Sequence, residues 1–284
     1  MPRLVEPTTA PLPEGWISNG CFETMRAYRG RIFRLEPHLD RLYASVADLG
    51  VRAPGRRVLA DRLVDALARS RLREAVVRVA LRPQPPAARP FDSAQGSALS
   101  EVECAEPLIV VQPAQLVPEA MYRRGIRLAV GPTRKFPVST IDAQAKYSAR
   151  LGSVLAVMDA QLRGADEALW LDAVGSVTES TASNFGIVRR GVVQTPPCWL
   201  GLLAGITRDV LFELAHGLRL RIEEVPLTRH DVYNADEAFL TSTLKEVLAV
   251  TTVDGRRIGT GRPGPVTQRL LRAFRALVRR ECGR

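Results

Sequence analysis

The stretch that decides the fold runs from Glu167-Ala-Leu-Trp-Leu-Asp172 through Val174-Gly175 to Phe185-Gly-Ile-Val188 and, past Arg190-Gly191, to Val192-Val-Gln-Thr195. Short β-branched and apolar runs bounded by glycine turns read as strands. Glu167 to Asp172 is therefore extended and Val174-Gly175 is a turn. Phe185 to Val188 and Val192 to Thr195 make an antiparallel pair around Arg190-Gly191. Upstream, Ser139, Thr140 and Asp142 offer caps for a helix carrying Leu151, Val154, Leu155, Met158 and Leu162 up to Gly164. Downstream, Gly205-Ile206-Thr207 opens a helix that stops at Gly217. Extended runs follow at Arg221 to Val225, Glu237 to Thr241 and Val247 to Val253, then the Asp254-Gly255 turn and a terminal helix. Many strands with few helices predict a β-rich, barrel-like domain.

The first half reads differently. Phe22 to Tyr28 and Arg31 to Leu35 form a hairpin around Arg29-Gly30. Leu39, Leu42, Val46 and Leu49 mark one helix, and Leu59, Leu63, Leu67 and Leu72 a second. Extended segments follow at Ala75 to Leu81, Leu108 to Gln112 and Ile126 to Val130. A sheet with two helices is an α+β pattern. The strand pattern lapses around Pro113 to Glu119, which predicts a small domain over residues 1–113, a linker at 114–119 and a larger domain over 120–284. The Pro-rich stretch between Arg82 and Glu101 reads as a mobile loop or lid.

At 284 residues, 46% hydrophobic and 25% charged, the chain has the composition of a globular protein with core enough to need no disulfide staples. Cys21, Cys104, Cys198 and Cys282 are scattered, without Cys-x-x-Cys pairs or histidines at ligand spacing, which disfavours a metal site. Residues 1–15 lack the apolar core of a signal peptide, and no run reaches the roughly 18 apolar residues of a membrane span. A cytoplasmic location is expected. The net charge of +10 invites nucleic acid, but the arginines are strewn along the chain, and the densest set, Arg269, Arg272, Arg275, Arg279 and Arg280, reads as one solvated helix face. No nucleic-acid partner is expected.

Only three of the 40 basic residues, Lys135, Lys146 and Lys245, are lysines. Arginine stays protonated and forms no Schiff base, so any imine chemistry has three candidate side chains. Lys146 falls in the first turn of its helix or just before it, where the helix dipole disfavours an ammonium. Bringing a lysine from about 10.4 to near neutrality costs about 4–5 kcal/mol, so burial or a second cation must help. The alternative is an exposed helix lysine. Glu179, in Val177-Thr-Glu-Ser-Thr-Ala-Ser-Asn184, stands where a strand meets small hydroxyl residues, or is a solvated turn acid. Arg41, between Leu39 and Leu42, suits bidentate contact with phosphate if it faces inward. The amides at Ile206 and Thr207 form an anion site at a helix start, unless Thr207 simply caps. Ser242 and Thr243 add hydroxyls or end a strand. Gly259-Thr-Gly-Arg-Pro-Gly264 matches a dinucleotide fingerprint in letters, yet no β-α-β unit with a following acid fits before the chain ends.

Taken in order, these features resemble the class IV, or fold type IV, aminotransferases, which depend on pyridoxal 5'-phosphate. The resemblance begins at Asn19-Gly-Cys-Phe-Glu-Thr-Met-Arg26 and runs through Arg31-Ile-Phe-Arg-Leu-Glu-Pro-His-Leu-Asp-Arg-Leu42, Lys146, Gly164-Ala-Asp-Glu-Ala-Leu169 and Val177 to Asn184. Leu203-Ala-Gly-Ile-Thr-Arg208, Ala235-Asp-Glu237 and Gly259 to Pro265 complete it. It implies that Lys146 holds the cofactor as a Schiff base, that Glu179 faces the pyridine nitrogen, and that Arg41, Ile206, Thr207 and Thr243 bind the phosphate, with Ser242 a weaker candidate. It also implies a homodimer whose active sites lie near the subunit interface.

The implied activity is transamination between a small amino acid or amine and a 2-oxo acid. Its runner-up is aminodeoxychorismate lyase, a relative resembled through Arg150-Leu151, although the lyase's Asn is Ala149 here. A basic binding module without catalysis is the third reading. Branched-chain enzymes of the family carry a Tyr five residues after the lysine, where this chain has Leu151, and tend to have Tyr-x-Arg where it has Val76-Val77-Arg78. D-amino-acid enzymes place an Arg-x-His pair nearby, and here only Arg89 is present.

Overall fold

The computed structural model describes residues 20–50, 52–83 and 106–283, which fall into two compact units. The first unit draws chiefly on Ala10–Gln115 and Ala145–Ala149, the second on Leu116–Gln144 and Arg150–Glu281. The expectations for residues 1–15, for Cys104 and for most of the Arg82 to Glu101 loop lie outside the described residues.

In the first unit, β1 (Cys21–Tyr28) and β2 (Arg31–Ile32) form the expected hairpin. Arg29 and Gly30 both take positive φ, 52° and 80°, as a two-residue hairpin turn of the primed kind requires. The second strand stops at Ile32 rather than Leu35, because Leu35 already opens α1 (Leu35–Asp48). After α2 (Arg56–Ser70) come β3 (Ala75–Leu81) and β4 (Leu108–Pro113), giving an antiparallel sheet in the order β2-β1-β3-β4. Leu72 falls outside α2, which ends as Arg71 turns left-handed at φ 58°.

Alternation along β1 sorts its two faces. Cys21, Met25 and Ala27 join Val77, Val79 and Leu81 against Leu39, Leu42, Val46, Leu59, Leu63 and Leu67 of the two helices. Phe22, Thr24 and Arg26 point the other way, opposite Ala80, Arg78 and Val76. The 145–149 strip runs antiparallel to the start of β1: the Phe22 amide donates to the Lys146 carbonyl at 3.1 Å and the Ser148 amide to the Gly20 carbonyl at 2.8 Å.

The second unit contains α3 (Glu119–Arg124), β5 (Ile126–Val130), α4 (Leu151–Leu162), β6 (Glu167–Leu171), β7 (Val177–Ser180), β8 (Asn184–Arg189) and β9 (Val192–Thr195). Next come α5 (Ile206–Gly217), β10 (Ile222–Glu224), α6 (Arg229–Tyr233), β11 (Glu237–Ser242), β12 (Glu246–Val253), β13 (Arg256–Arg257) and α7 (Pro265–Cys282). The sheet order is β10-β9-β8-β11-β12-β5-β6-β7, and β7 also pairs with β8. Six strands, β8-β11-β12-β5-β6-β7, thereby close on themselves, leaving no free edge among them. This is the barrel-like sheet the strand-rich pattern predicts. Phe185, Ile187, Leu240, Leu248, Val250, Leu169 and Leu171 fill the core.

Two expectations need correction. The helix α4 begins at Leu151 with Arg150 at its N-cap and no side-chain cap, so Ser139, Thr140 and Asp142 do not cap it. Lys146 therefore precedes the helix and lies outside its first turn. Nor does α4 bury its large apolar stripe. Gly152, Ala156 and Ala160 form the inward line toward Ala168 and Trp170, while Leu151, Val154, Leu155, Met158 and Leu162 are exposed.

The glycine string before α7 has a structural cause. Glu237 accepts from the amides of Val266 (2.9 Å) and Thr267 (2.7 Å), capping α7 from β11. A Cβ at Gly264 would stand 2.1 Å from the Glu237 carboxyl carbon. The string makes room for that cap.

Candidate active site

Lys146 is half-buried on the first unit, and its backbone is held at both ends of the peptide. Its amide donates to Ser45 Oγ at 3.0 Å, while Ser45 Oγ donates to the Arg41 carbonyl one turn earlier on α1 at 2.8 Å. Its Nζ lies 5.0 Å from the Phe22 ring centroid. One helix thus supports two of the expected site residues, Arg41 and Lys146. Arg41 faces inward, as the inward alternative required: its Nε and Nη2 donate to Glu23 Oε1 and Oε2 at 2.6 and 2.9 Å.

On the second unit, Glu179 lies on β7 and is 7% exposed, which rules out a solvated turn acid. Lys135 donates to its Oε1, and Asn184 Nδ2 (3.3 Å) and the Leu203 amide (3.2 Å) donate to its Oε2. Asn184 Nδ2 also donates to the Leu203 carbonyl at 2.8 Å, tying β8 to the loop that enters α5. That loop tolerates only glycine at 205, since a Cβ there would meet Asn184 Oδ1 at 1.8 Å. Gly205 is the N-cap of α5, and no side chain caps it. Thr207 is therefore not a simple cap. The amides of Ile206 and Thr207 open the helix in the arrangement that receives anions.

Register carries the row onward. Glu179 pairs with Asn184 across β7 and β8, and Asn184 with Thr241 across β8 and β11. Ser242 and Thr243 follow directly, so Glu179, the α5 start and these hydroxyls gather at one end of the sheet. Ser242 Oγ accepts from the Lys245 amide at 3.1 Å, which commits it partly to closing the turn.

Several neighbours escape sequence reasoning. Lys135 reaches Glu179 from 44 residues upstream, with its Nζ 4.7 Å from the Trp170 centroid. Lys245 Nζ pairs with buried Glu167 at 2.7 Å. Burial pushes the Glu167 carboxyl up, but the charge and hydrogen bond of Lys245, with Thr181, hold it below its ordinary value. Arg26 and Arg78 are buried on the sheet face turned away from α1 and α2. Strict alternation in Cys21 to Tyr28 was the one signal for this, since it separates Glu23 from Thr24 and Arg26.

One unit thus offers an inward arginine and a half-buried lysine, the other an uncapped helix start and a buried carboxylate, and the matches with known proteins say which family uses such groups. The amino-transferase class IV family model matches residues 20–253. A branched-chain-amino-acid aminotransferase of Pseudomonas aeruginosa is 36% identical over 268 residues, covering 91% of this chain and 84% of the relative. The branched-chain aminotransferase of Thermoproteus uzoniensis, solved with norvaline, superposes with a TM-score of 0.81 at 31% identity, covering 92% of this chain and 85% of that one. The enzyme of Thermobaculum terrenum in its PLP form gives 0.81 at 26% identity, covering 93% and 86%.

The chain belongs to the class IV aminotransferase family and has its fold. It is a pyridoxal-phosphate-dependent transaminase. These relatives are named aminotransferases, which places the lyase behind, and a binding module without catalysis is set aside. No helix of the described residues is long and apolar enough to cross a membrane.

Proposed function

We propose that this transaminase moves the amino group of a branched-chain amino acid to a 2-oxo acid, with Lys146 as the residue that binds the cofactor's aldehyde carbon. Glu179 faces the pyridine nitrogen. Arg41, the amides of Ile206 and Thr207, and the hydroxyls of Thr207 and Thr243 hold the phosphate, with Ser242 contributing more weakly. The observation that carries the residue roles is the link from the Lys146 amide through Ser45 to the Arg41 carbonyl on α1. The substrate reading rests on the names of the relatives.

The residues present suit the cofactor: α5 opens without a side-chain cap, and Glu179 is buried with its oxygens turned to donors. When bound, pyridoxal phosphate accepts the electron pair left on the substrate carbon as its proton departs. With the cofactor bound, Lys146 Nζ would be the base that takes the substrate Cα proton and delivers it to the cofactor's former aldehyde carbon. Glu179 favours a protonated ring nitrogen. Arg41 and the α5 amides hold the dianion in place by charge-assisted hydrogen bonds. Arg78 and Arg26, buried on their sheet face, are the cations we assign to the substrate carboxylate.

A homodimer in the cytoplasm is part of the same reading. The support for a dimer is the outward stripe of α4, where Leu151 is 72% and Leu162 88% exposed. The substrate assignment is tested with a panel of L- and D-amino acids plus 2-oxoglutarate, beside aminodeoxychorismate alone. Turnover of L-valine, L-leucine and L-isoleucine above all others is expected. Pyruvate release from aminodeoxychorismate, or preference for D-amino acids, would overturn it.

A further inference from the structure

Arg41 is clamped from below. Both oxygens of Glu23 take a guanidinium N–H, at 2.6 and 2.9 Å, and Oε2 also lies 2.8 Å from His38 Nδ1. Glu23 and His38 are 0% and 2% exposed, inside the core that β1 makes with α1. Burial alone would drive the Glu23 carboxyl to its neutral form, but the charge of Arg41 and the hydrogen bond from His38 hold it far below the carboxylate range. Burial holds His38 below its ordinary value against the pull of Glu23, so the ring is uncharged at neutral pH and its Nδ1–H donates a hydrogen bond to the Glu23 carboxylate.

A carboxylate in such a place is an expensive way to stabilise a fold, since a packed apolar side chain would serve as well. Its charge also opposes phosphate binding, because it offsets that of Arg41. What it supplies is geometry. A long, flexible arginine must otherwise be ordered each time it meets an anion, and a two-point clamp on one edge does that ordering in advance.

We propose that Glu23 is a positioning residue for the cofactor phosphate, acting through Arg41, with His38 holding the carboxylate at the Oε2 it shares with Arg41. This inference rests on the assignment of Arg41 to the phosphate. Charge and geometry predict opposite signs. Removing Glu23 tightens phosphate binding if only charge matters and loosens it if aim matters.

The test compares pyridoxamine 5'-phosphate with pyridoxamine, neither of which reacts with a lysine, by titration calorimetry on the whole chain. The readout is the preference for the phosphorylated ligand. Glu23→Gln is expected to cut it about ten-fold and to leave pyridoxamine affinity within about two-fold. In an Arg41→Met background the same change should have no further effect. Glu23→Asp keeps the charge but withdraws it by one methylene, and is expected to lose preference too. It decides the matter if Glu23→Gln fails to fold by circular dichroism. An unchanged or increased preference in the folded variants overturns the proposal, as does an equal loss for both ligands. A wild type without any phosphate preference would instead overturn the Arg41 assignment, and this inference with it.

Discussion

Glu23 and His38 make an acid sensitivity that can be worked out from their shifts. Unfolded, His38 takes a proton near 6.5, whereas buried it resists until lower pH, so stability falls as pH drops below about 6.5. Glu23 has an ordinary value of 4.5 and is held far below it in the fold by Arg41 and His38 against its burial. Its contribution is present above 4.5 and is lost as pH falls below it. Buried Glu167, lowered by Lys245, adds in the same direction. Denaturant midpoints are therefore expected to decline from pH 7 to pH 4, and His38→Asn should flatten the upper part of that decline. A midpoint constant from pH 7 to pH 5 in the wild type would contradict the burial of a neutral His38. Little of this was legible in the sequence, since Glu23 and Arg41 are 18 residues apart and only the β1 register against α1 brings them together.

At the level of elements, periodicity found the longer helices but not always their faces. α4 shows why: both Leu151, Val154, Leu155, Met158, Leu162 and the line Gly152, Ala156, Ala160 are apolar at helical spacing, and sequence alone favours the larger residues for the core. The barrel takes the small line, and Ala156 and Ala160 pack on Ala168 and Trp170. The short α3 and α6 fell below the length at which a pattern stands out. α6 did leave a sign in Thr228 and Asp231, which form a capping box. The exposed stripe on α4 carries a prediction. Leu155→Glu with Met158→Glu, on side chains 51% and 55% exposed, should leave the fold intact by circular dichroism and shift the chain from dimer to monomer in analytical ultracentrifugation. A wild type that sediments as a monomer at all concentrations would remove the dimer from the account.

For the whole molecule, order along the chain carried more than any single motif. Lys146, Glu179, Gly205 and Thr243 are each unremarkable alone, and the turn glycines, strand runs and sheet-end hydroxyls identify the family only as a sequence of events. Lys135 is engaged by Glu179 and Lys245 by Glu167, so two of the three lysines serve buried carboxylates. The proposed imine residue, Lys146, hangs by its amide from Ser45, one turn after Arg41 on α1.

The decisive measurement is the visible spectrum of the purified chain after saturation with pyridoxal phosphate, followed by borohydride reduction and peptide mass mapping. A visible band in the wild type, absent in Lys146→Ala, with the reduced cofactor on the peptide containing Lys146, is the expected result. A colourless wild type, or a label on Lys135 or Lys245 instead, would contradict the assignment on which the rest stands.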